Sequence, residues 1–359
     1  MKSVAVIPGT KNGLKLIDTD EPRPGYREAL VKVLDVGVCG TDEEIVDGKI
    51  GKSPAGEDFL IIGHEVLGMI ESIGSQVGCF CPGDLVTSTV RRPCPEHCLN
   101  CRNGQADMCL TGDYLERGIK GLHGFMSGYF VESIDYLVKV PPELSGTGVL
   151  LEPMSIVEKG LDQLLKAQKR LLWRPSRALV LGAGPIGMLA TFALRDMGLE
   201  TFTMATRDRM SIKARAVESS GARYVNAREE PLETLTDRYG VFDIIIEATG
   251  VGRLALQSMD IVNTNGAVCL LGLSPGKKRE EICADCINMD MVMDNSMALG
   301  SVSSNRIHFE MGIERLLSIQ RKWPGLLEKM FSERIKMAEL GSAIPKDRED
   351  IKVVVEVGR

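Results

Sequence analysis

The sequence predicts a two-domain α/β protein, in which a mostly-β first domain is followed by a doubly wound parallel sheet. The 359-residue chain is too long for one hydrophobic core. Residues 1 to about 150 are rich in glycine and proline and show little helical periodicity. From about residue 175, short apolar runs alternate with amphipathic segments. These three observations together define the expected fold class.

The composition is that of an ordinary globular protein, with 44% apolar residues, 26% charged residues and a net charge of −6. Lysines and arginines are scattered, so we expect no nucleic-acid partner. The sequence has no apolar run near the ~20 residues of a membrane span, and residues 1–8 predict a strand rather than a signal peptide. The ten cysteines are clustered, which favours metal ligation in a reducing cytoplasm over secreted disulfides.

The strands of the first domain are predicted from apolar runs that lie between glycines and prolines. These runs are residues 29–36, 69–73, 84–88 and 136–140. The side chains with metal-binding or catalytic chemistry, Cys39, His64 and Glu65, fall at strand ends or in loops. Functional sites are usually built at such positions.

The run Gly63-His64-Glu65 sets an imidazole beside a carboxylate, with Cys39 upstream and Glu152 downstream. Thiolate, imidazole and carboxylate are ligand types of a catalytic zinc, which keeps one position open for water or substrate. The chain has only four histidines, so a histidine in this setting carries weight. The dipeptide alone is equally compatible with a histidine that is hydrogen-bonded in a strand turn.

A cysteine-rich segment follows between residues 94 and 109. Its four cysteines are Cys94, Cys98, Cys101 and Cys109. The segment has few apolar side chains, so metal bonds would have to hold its fold, and four thiolates suit a closed structural zinc site. Free thiols or two disulfides are the alternatives, and His97 could replace one cysteine as a ligand.

A dinucleotide-binding loop is predicted where the apolar run at residues 177–181 leads into a G-x-G-x-x-G sequence and an amphipathic helix. The first glycine makes the tight turn, the second lets the backbone approach a pyrophosphate, and the third lets the helix pack on the strand. A turn without a nucleotide is the alternative. The residues expected to contact the cofactor are Gly182, Gly184, Pro185, Ile186 and Gly187.

The tip of the next strand indicates which dinucleotide binds. It reads Thr206-Arg207-Asp208-Arg209, and two arginines beside a small hydroxyl favour the 2′-phosphate of NADP. NAD remains a second option, and merely exposed arginines are the alternative interpretation.

Two later apolar strands, at residues 242–250 and 266–273, end in small residues. Ligands bind at the carboxyl ends of strands in such sheets, so these ends should line the cofactor path. They add Thr249, Gly272 and Leu273 to the expected cofactor-binding residues.

The last part of the chain completes the domain assignment. Cys283 and Cys286 form a C-x-x-C that we interpret as two incidental loop cysteines. A helical stretch at residues 308–331 leads to a final strand at residues 351–357, which is expected to return to the first domain. The predicted domains are therefore residues 1–155 and 156–300, with residues 301–359 returning to the first.

Together, these motifs resemble the zinc-dependent medium-chain alcohol dehydrogenases. Cys39-Gly40-Thr41-Asp42, Gly63-His64-Glu65, the four cysteines and the glycine-rich loop follow in that family's order over nearly the whole chain. Further stretches are similar to the archaeal-type glucose dehydrogenase branch of the family. They are residues 89–93, 114–119 and 121–126, Glu152-Pro153 with Glu158-Lys159, and residues 300–302 with Asn305.

The resemblance implies a GroES-like, mostly-β catalytic domain and a Rossmann dinucleotide-binding domain. It also implies Cys39 and His64 as ligands of a catalytic zinc, with Glu65 either as a ligand or as the neighbour of one. Glu152 stands where this branch has a glutamate or glutamine near the metal.

The resemblance implies roles in catalysis and substrate binding as well. Thr41 would relay the proton, and Glu65 and Glu116 join it as catalytic candidates. Glu116, Glu152 and Asn305 would bind the sugar together with Thr41. Asn305 would also contact the nicotinamide, and Asn295 is a further candidate for these contacts.

The implied activity is that of an NADP-dependent glucose (aldose) 1-dehydrogenase, and we expect a homo-oligomer, either a dimer or a tetramer. Two features depart from the family pattern: the cysteine segment reads Cys-x3-Cys-x2-Cys, and Ile156 stands where some relatives carry an acid that contacts the sugar. The alternatives are a polyol or secondary-alcohol dehydrogenase of the same fold and a nucleotide-binding protein without turnover.

Overall fold

The computed structural model describes residues 1–11, 13–274, 276–344 and 349–358, apart from the side chains of residues 342 and 343. The chain divides into two units. The first comprises Met1–Ser155, Ser303–Glu314 and Phe331–Arg359, and the second comprises Ile156–Val302 and Arg315–Met330. The sequence-based division assigns residues 315–330 to the first domain, whereas here they belong to the second unit.

The structure contains strands and helices that we number in chain order. The strands are β1 (Lys2–Val6), β2 (Lys15–Asp18), β3 (Glu28–Val38), β4 (Leu60–Ile61), β5 (Glu65–Ile73), β6 (Leu85–Ser88), β7 (Arg91–Arg92), β8 (Leu115–Arg117), β9 (Gly121–Leu122), β10 (Tyr129–Ser133), β11 (Leu137–Lys139), β12 (Arg177–Leu181), β13 (Glu200–Ala205), β14 (Arg223–Asn226), β15 (Phe242–Glu247), β16 (Val262–Leu270), β17 (Met297–Gly300), β18 (Phe331–Lys336) and β19 (Lys352–Glu356). The α-helices are α1 (Gly40–Val46), α2 (Leu99–Arg102), α3 (Leu151–Ala167), α4 (Pro185–Asp196), α5 (Ile212–Ser219), α6 (Leu235–Tyr239), α7 (Gly252–Gln257), α8 (Ala284–Met293), α9 (Arg306–Lys322) and α10 (Leu340–Ala343).

The first unit is built around strand β3. Its main sheet has the order β11-β6-β5-β3-β19-β18, and β10 also pairs with β3. β3 is long and almost wholly buried because apolar residues occupy most of its positions. The C-terminal strand β19 runs antiparallel to β3, so the end of the chain is part of this sheet.

The second unit contains a six-stranded sheet of order β14-β13-β12-β15-β16-β17, in which every pair is parallel. Strands of such sheets are covered on both faces, which explains their short apolar runs. The strand order reverses between β12 and β15, and the crevice at that switch point is the usual ligand site of these sheets. The predicted doubly wound sheet is confirmed.

Two expectations for the second half of the chain were wrong. The helix expected to reach residue 331 ends at Lys322, because Pro324 and Gly325, whose φ is 80°, follow. Cys283 and Cys286 are joined by a disulfide, and Cys283 is the N-cap residue of α8, so the pair lies at a helix start rather than in a loop. Within the described ranges, no helix is both long enough and apolar enough to span a bilayer.

Candidate active site

The residues of the predicted catalytic metal site lie at the ends of two paired strands. Cys39 follows β3 and caps α1, while His64 directly precedes β5 and Glu65 begins it. The two strands are antiparallel, with Gly37 opposite Glu65. This pairing brings Cys39 Sγ to 3.2 Å from His64 Nε2. Donor atoms of Cys39, His64 and Glu65 all lie within 4.8 Å of one another.

This donor set fits zinc. Thiolate sulfur, imidazole nitrogen and carboxylate oxygen are the donors that zinc takes from proteins, and three of them suffice when water or substrate fills the fourth position. His64 and Glu65 are buried, and Cys39 is half-buried. The group is therefore sheltered from solvent on most sides, as a Lewis-acid site requires.

Gly37 makes room for this group. A Cβ atom at that position would lie 2.0 Å from Oε2 of Glu65 and 2.9 Å from Cε of Lys352. Nonbonded carbon atoms approach no closer than about 3.5 Å without repulsion. The glycine is thus required by the packing of the site rather than by a turn.

Asp42 supports both candidate ligands, although we assigned it no role from the sequence. Its Oδ2 atom accepts a hydrogen bond from the backbone N–H of Cys39 at 2.9 Å, and its Oδ1 atom lies 3.7 Å from His64 Nδ1. A carboxylate on the far side of a ligating imidazole favours the tautomer that leaves the other ring nitrogen to bind metal. Its position three residues after Cys39, at a helix start, is a capping signal that could have indicated this.

Lys352 is a second residue that sequence reasoning missed. It lies in β19, is fully buried, and forms an ion pair with Glu65. Burial alone would lower the pKa of Lys352, but the negative charges of Glu65 and Cys39 outweigh it and raise that pKa. The available signal was a single lysine in the otherwise apolar run of residues 351–355.

Thr41 and Glu152 were also predicted at this site. Thr41 is half-buried in the first turn of α1, two residues beyond Cys39. Glu152 is buried in the first turn of α3, and its oxygens fall outside the 4.8 Å group. Burial raises the pKa of Glu152 to about 7, against the nearby positive charges of His64 and Lys352.

The predicted sugar-binding residues are held by partners that the sequence did not identify. Glu116 lies on β8 and pairs with the buried Arg91 on β7. Asn305 precedes α9 and donates from Nδ2 to Asp107 Oδ1 at 3.1 Å. Glu116, Asn305 and their partners Arg91 and Asp107 belong to the first unit. Asn295 lies in the second unit, in a turn before β17, and has a φ of 50°.

The four-cysteine lobe, which we define as residues 94–109, forms the second candidate metal site. The sulfurs of Cys94, Cys98, Cys101 and Cys109 all lie within 4.8 Å of one another, and none of them is in a disulfide. His97 is exposed, with a φ of 46°, and is not part of this group. Four thiolates in this arrangement fit a closed tetrahedral zinc site.

The glycine-rich loop connects β12 to α4. Gly182 has a φ of 105°, Gly184 is the N-cap residue of α4, and Pro185 opens the helix. Ile186 follows in the first turn. A Cβ atom on Gly187 would lie 2.0 Å from the carbonyl oxygen of Gly182, so only glycine permits this helix–strand contact. The N-terminus of α4 is therefore available to bind an anion.

The other predicted cofactor residues follow the neighbouring strands. Thr249 comes two residues after β15, and its N–H and hydroxyl both donate to Glu247. Gly272 and Leu273 follow β16, and Leu273 is exposed. Because β15 is adjacent to β12 at the switch point, these strand ends border the same crevice of the sheet as the glycine-rich loop.

The arginines expected to bind a 2′-phosphate differ in their surroundings. Arg209 is engaged by two carboxylates, Glu229 at 3.3 Å and Glu230 at 2.7 Å. Arg207 is half-buried, and Thr206 is exposed at the strand tip. The charge of Arg209 is thus already neutralised within the protein.

Two family models match the chain. Residues 25–142 match the alcohol dehydrogenase GroES-like domain, and residues 145–357 match the glucose dehydrogenase C-terminus. The two models cover the first domain with its metal-binding motifs and most of the remaining chain.

Similar proteins of known identity or structure cover the chain end to end. Glucose 1-dehydrogenase from Methanocella arvoryzae is 54% identical over 358 residues, covering 100% of both chains, and that from Thermoproteus tenax is 40% identical, covering 99% of both. The structure of Haloferax mediterranei glucose dehydrogenase in complex with NADP, Zn and gluconolactone superposes with a TM-score of 0.92 at 35% identity, covering 100% of both chains. The 2R,3R-butanediol dehydrogenase of Bacillus subtilis, at 21% identity and a TM-score of 0.82, shares the fold.

A GroES-like unit with clustered zinc-type donors, joined to a doubly wound nucleotide-binding sheet, defines a medium-chain dehydrogenase of the zinc type. Within that class, the chain belongs to the glucose dehydrogenase branch.

Proposed function

We propose that the chain is a zinc-dependent glucose 1-dehydrogenase, which oxidises D-glucose to glucono-1,5-lactone and reduces NADP, with NAD as a second acceptor. One observation carries the proposal: the zinc-type donors of Cys39 and His64 converge in a chain that is 54% identical, over its whole length, to a glucose 1-dehydrogenase. The complex of the Haloferax relative with NADP, Zn and gluconolactone supports the same cofactors and product here.

Cys39 and His64 are the proposed zinc ligands, with Glu152 as the third protein donor. Glu65 forms an ion pair with Lys352, so an ammonium group already neutralises its carboxylate. We therefore place Glu65 beside the metal rather than among its ligands. The negative charge of Asp42, 3.7 Å from His64 Nδ1, favours a proton on that nitrogen and leaves Nε2 for the metal. Zinc bound there would supply a Lewis acid that lowers the pKa of the sugar's anomeric hydroxyl.

The chain's own residues bind the sugar and move its proton. Thr41 Oγ1 is the proposed acceptor of the anomeric hydroxyl proton, which it passes outward through ribose hydroxyls or water. Glu116 and Asn305 orient the ring by hydrogen bonds, so that C1 presents its hydrogen to the cofactor. NADP, when bound, accepts that hydrogen as hydride.

NADP binding is proposed at the glycine-rich loop, with the pyrophosphate at the N-terminus of α4. Arg207 and Thr206 are the proposed contacts of the 2′-phosphate. Arg209 contributes less, because Glu229 and Glu230 already occupy its guanidinium.

The function is tested by initial rates with a panel of substrates. D-glucose, D-galactose, sorbitol and ethanol are each supplied with NADP and with NAD, and lactone formation is followed alongside NADPH absorbance. We expect glucose with NADP to give the highest kcat/KM. Rapid oxidation of sorbitol or ethanol with glucose inert would instead establish a polyol or secondary-alcohol dehydrogenase. The feature that favours this alternative is Ile156, because the family resemblance implies a sugar-contacting acid at that position in some relatives.

Two further properties are proposed on the same basis. We expect a homo-oligomer, either a dimer or a tetramer, which light scattering after size exclusion would measure. A cytoplasmic location is supported by the metal-type clustering of the cysteines at residues 94–109, since metal thiolate sites are typical of reducing compartments.

A further inference from the structure

A buried polar network lies between the proposed sugar-binding residues and the four-cysteine lobe. Arg91 is buried on β7, directly opposite Glu116 on β8. Its Nε and Nη2 atoms both donate to Oε1 of Glu116, at 3.0 and 2.8 Å. Because both hydrogen bonds end on one oxygen, Oε2 keeps the capacity to accept a hydroxyl hydrogen.

The same arginine reaches into the lobe. Its Nη1 atom donates to the main-chain oxygen of Asp107 at 3.0 Å. Asp107 is buried and sits in the 3-10 turn Ala106–Met108, between Cys101 and Cys109. Arg91 therefore joins Glu116 to the backbone of the lobe.

Asp107 also contacts the second sugar-binding candidate. Its Oδ1 atom accepts the hydrogen bond from Asn305 Nδ2. Asn305 is far from Asp107 in the sequence and enters the first unit only through the short segment Ser303–Glu314. One lobe residue thus contributes its carbonyl to Arg91 and its carboxylate to Asn305.

The orientation of Arg91 is further fixed by an aromatic ring. Its guanidinium carbon lies 3.6 Å from the centroid of the Tyr114 ring. A planar guanidinium that stacks on a ring and donates three hydrogen bonds to two partners has one favourable placement, which lysine cannot reproduce.

We propose that Arg91 and Asp107 are positioning residues that hold Glu116 and Asn305 for sugar binding, and that they thereby couple the sugar site to the four-cysteine lobe. This inference rests on the proposed function and deepens it. The lobe is then more than a local fold held by metal, because its turn at Asp107 sets the placement of two side chains that bind substrate.

The test measures sugar affinity without turnover. D-glucose is titrated into the complex of the zinc-loaded protein with NADPH, in which no hydride acceptor is present. Asp107→Ala removes the acceptor of the Asn305 hydrogen bond, and we expect about tenfold weaker glucose binding. Asp107→Asn keeps an oxygen in the same place and should bind glucose within about twofold of the unchanged protein.

Controls separate positioning from loss of structure. Asp113→Ala alters an exposed aspartate just past the lobe and should leave glucose affinity unchanged. Zinc content should be the same in all these variants. If Asp107→Ala does not fold, Arg91→Lys serves instead, and it should weaken glucose binding because the two-bond grip on Glu116 is lost.

A double-mutant cycle shows whether Asp107 affects glucose binding through Asn305. If Asp107 acts through Asn305, then Asp107→Ala should cause no further loss of glucose affinity in an Asn305→Ala background. Fully additive losses, or unchanged affinity in Asp107→Ala and Arg91→Lys, would overturn the positioning roles while leaving the glucose dehydrogenase assignment intact. Failure of the unchanged protein to bind or oxidise glucose would overturn both.

Discussion

The two candidate metal sites of the first unit are constructed in opposite ways. The four-cysteine lobe takes all its donors from residues 94–109 and has almost no apolar core of its own beyond Cys94, Cys101 and Ala106. The site at Cys39 takes its donors from residues that are far apart in the sequence and surrounds them with buried charges, Asp42 and Lys352 among them. The comparison indicates that a site whose donors are close together in the sequence needs its metal to keep its structure. A site whose donors are far apart in the sequence is instead assembled by the fold of the whole unit.

The largest effect in this comparison is expected from Cys39→Ser. The change removes a ligand of the proposed catalytic zinc, and kcat for glucose should fall by about three orders of magnitude because several kcal/mol of charge stabilisation are lost. NADPH affinity, measured by fluorescence titration, should stay within about twofold, since the glycine-rich loop belongs to the other unit. Near-normal turnover in this variant would contradict the metal assignment.

The variant Lys352→Met tests how strongly the site at Cys39 depends on the buried charges around it, and its effect is measured as a change in stability. It leaves the Glu65 carboxylate buried without its ion-pair partner, and the free energy of unfolding should fall by about 3–5 kcal/mol. Chemical denaturation measures this loss. The double variant Lys352→Met/Glu65→Gln should recover part of it, because no unpaired charge remains. A double variant less stable than Lys352→Met would show that the ion pair is not the cause.

The same contrast between the four-cysteine lobe and the site at Cys39 explains which parts of each site the sequence could predict. The cysteine spacing and the strand–glycine–helix pattern are local, so the lobe and the loop at Gly182 could be identified before the structure was known. Lys352 could not be, since its contact with Glu65 depends on the pairing of β19 with β3. The same limitation applies to Arg91 and Asp107, whose partners are set by tertiary packing.

Misjudged segments also have physical explanations. The helix expected at residues 308–331 ends at Lys322, because Pro324 and Gly325 interrupt the apolar spacing on which that expectation rests. Cys283 and Cys286 were read as loop residues, although the residues from Ala284 onward form α8. α8 has no buried residues, so no periodic apolar face indicated it.

A buried charge cluster that contains no proposed metal donor provides a control for the two metal sites. Glu132 is buried and forms ion pairs with Arg92 and Arg117. Burial alone would raise the pKa of Glu132, but the charges of Arg117 and Arg92 outweigh it and lower that pKa below its ordinary value. Glu132→Gln should therefore reduce the free energy of unfolding by about 2 kcal/mol at pH 7, with zinc content unchanged.

The pH dependence of this difference has a defined sign. A carboxyl whose pKa is lower in the folded than in the unfolded state stabilises the protein fully above the unfolded pKa, and that stabilisation is lost as the pH falls through the folded pKa. Urea unfolding at pH 7 and near pH 4 should show the gap between Glu132→Gln and the unchanged protein narrowing on acidification. A gap that widens would contradict the assignment of charge as the stabilising factor.

The smallest effects are expected in the nucleotide-binding unit. Arg209→Ala should change the ratio of kcat/KM for NADP to that for NAD by less than about twofold, because Glu229 and Glu230 already neutralise this side chain. Arg207→Ala should lower the same ratio by about tenfold. If Arg209→Ala lowered the ratio more than Arg207→Ala does, Arg209 and not Arg207 would be the residue that recognises the 2′-phosphate.

The zinc content of purified protein tests the central contrast most directly. Elemental analysis should find about two zinc ions per chain in the unchanged protein and about one in folded Cys39→Ser, since the four-cysteine lobe keeps its own metal. The remaining ion should resist mild chelation that strips the first. An unchanged protein with a single zinc, or a Cys39→Ser variant that retains both, would contradict the assignment of a catalytic zinc to Cys39 and His64.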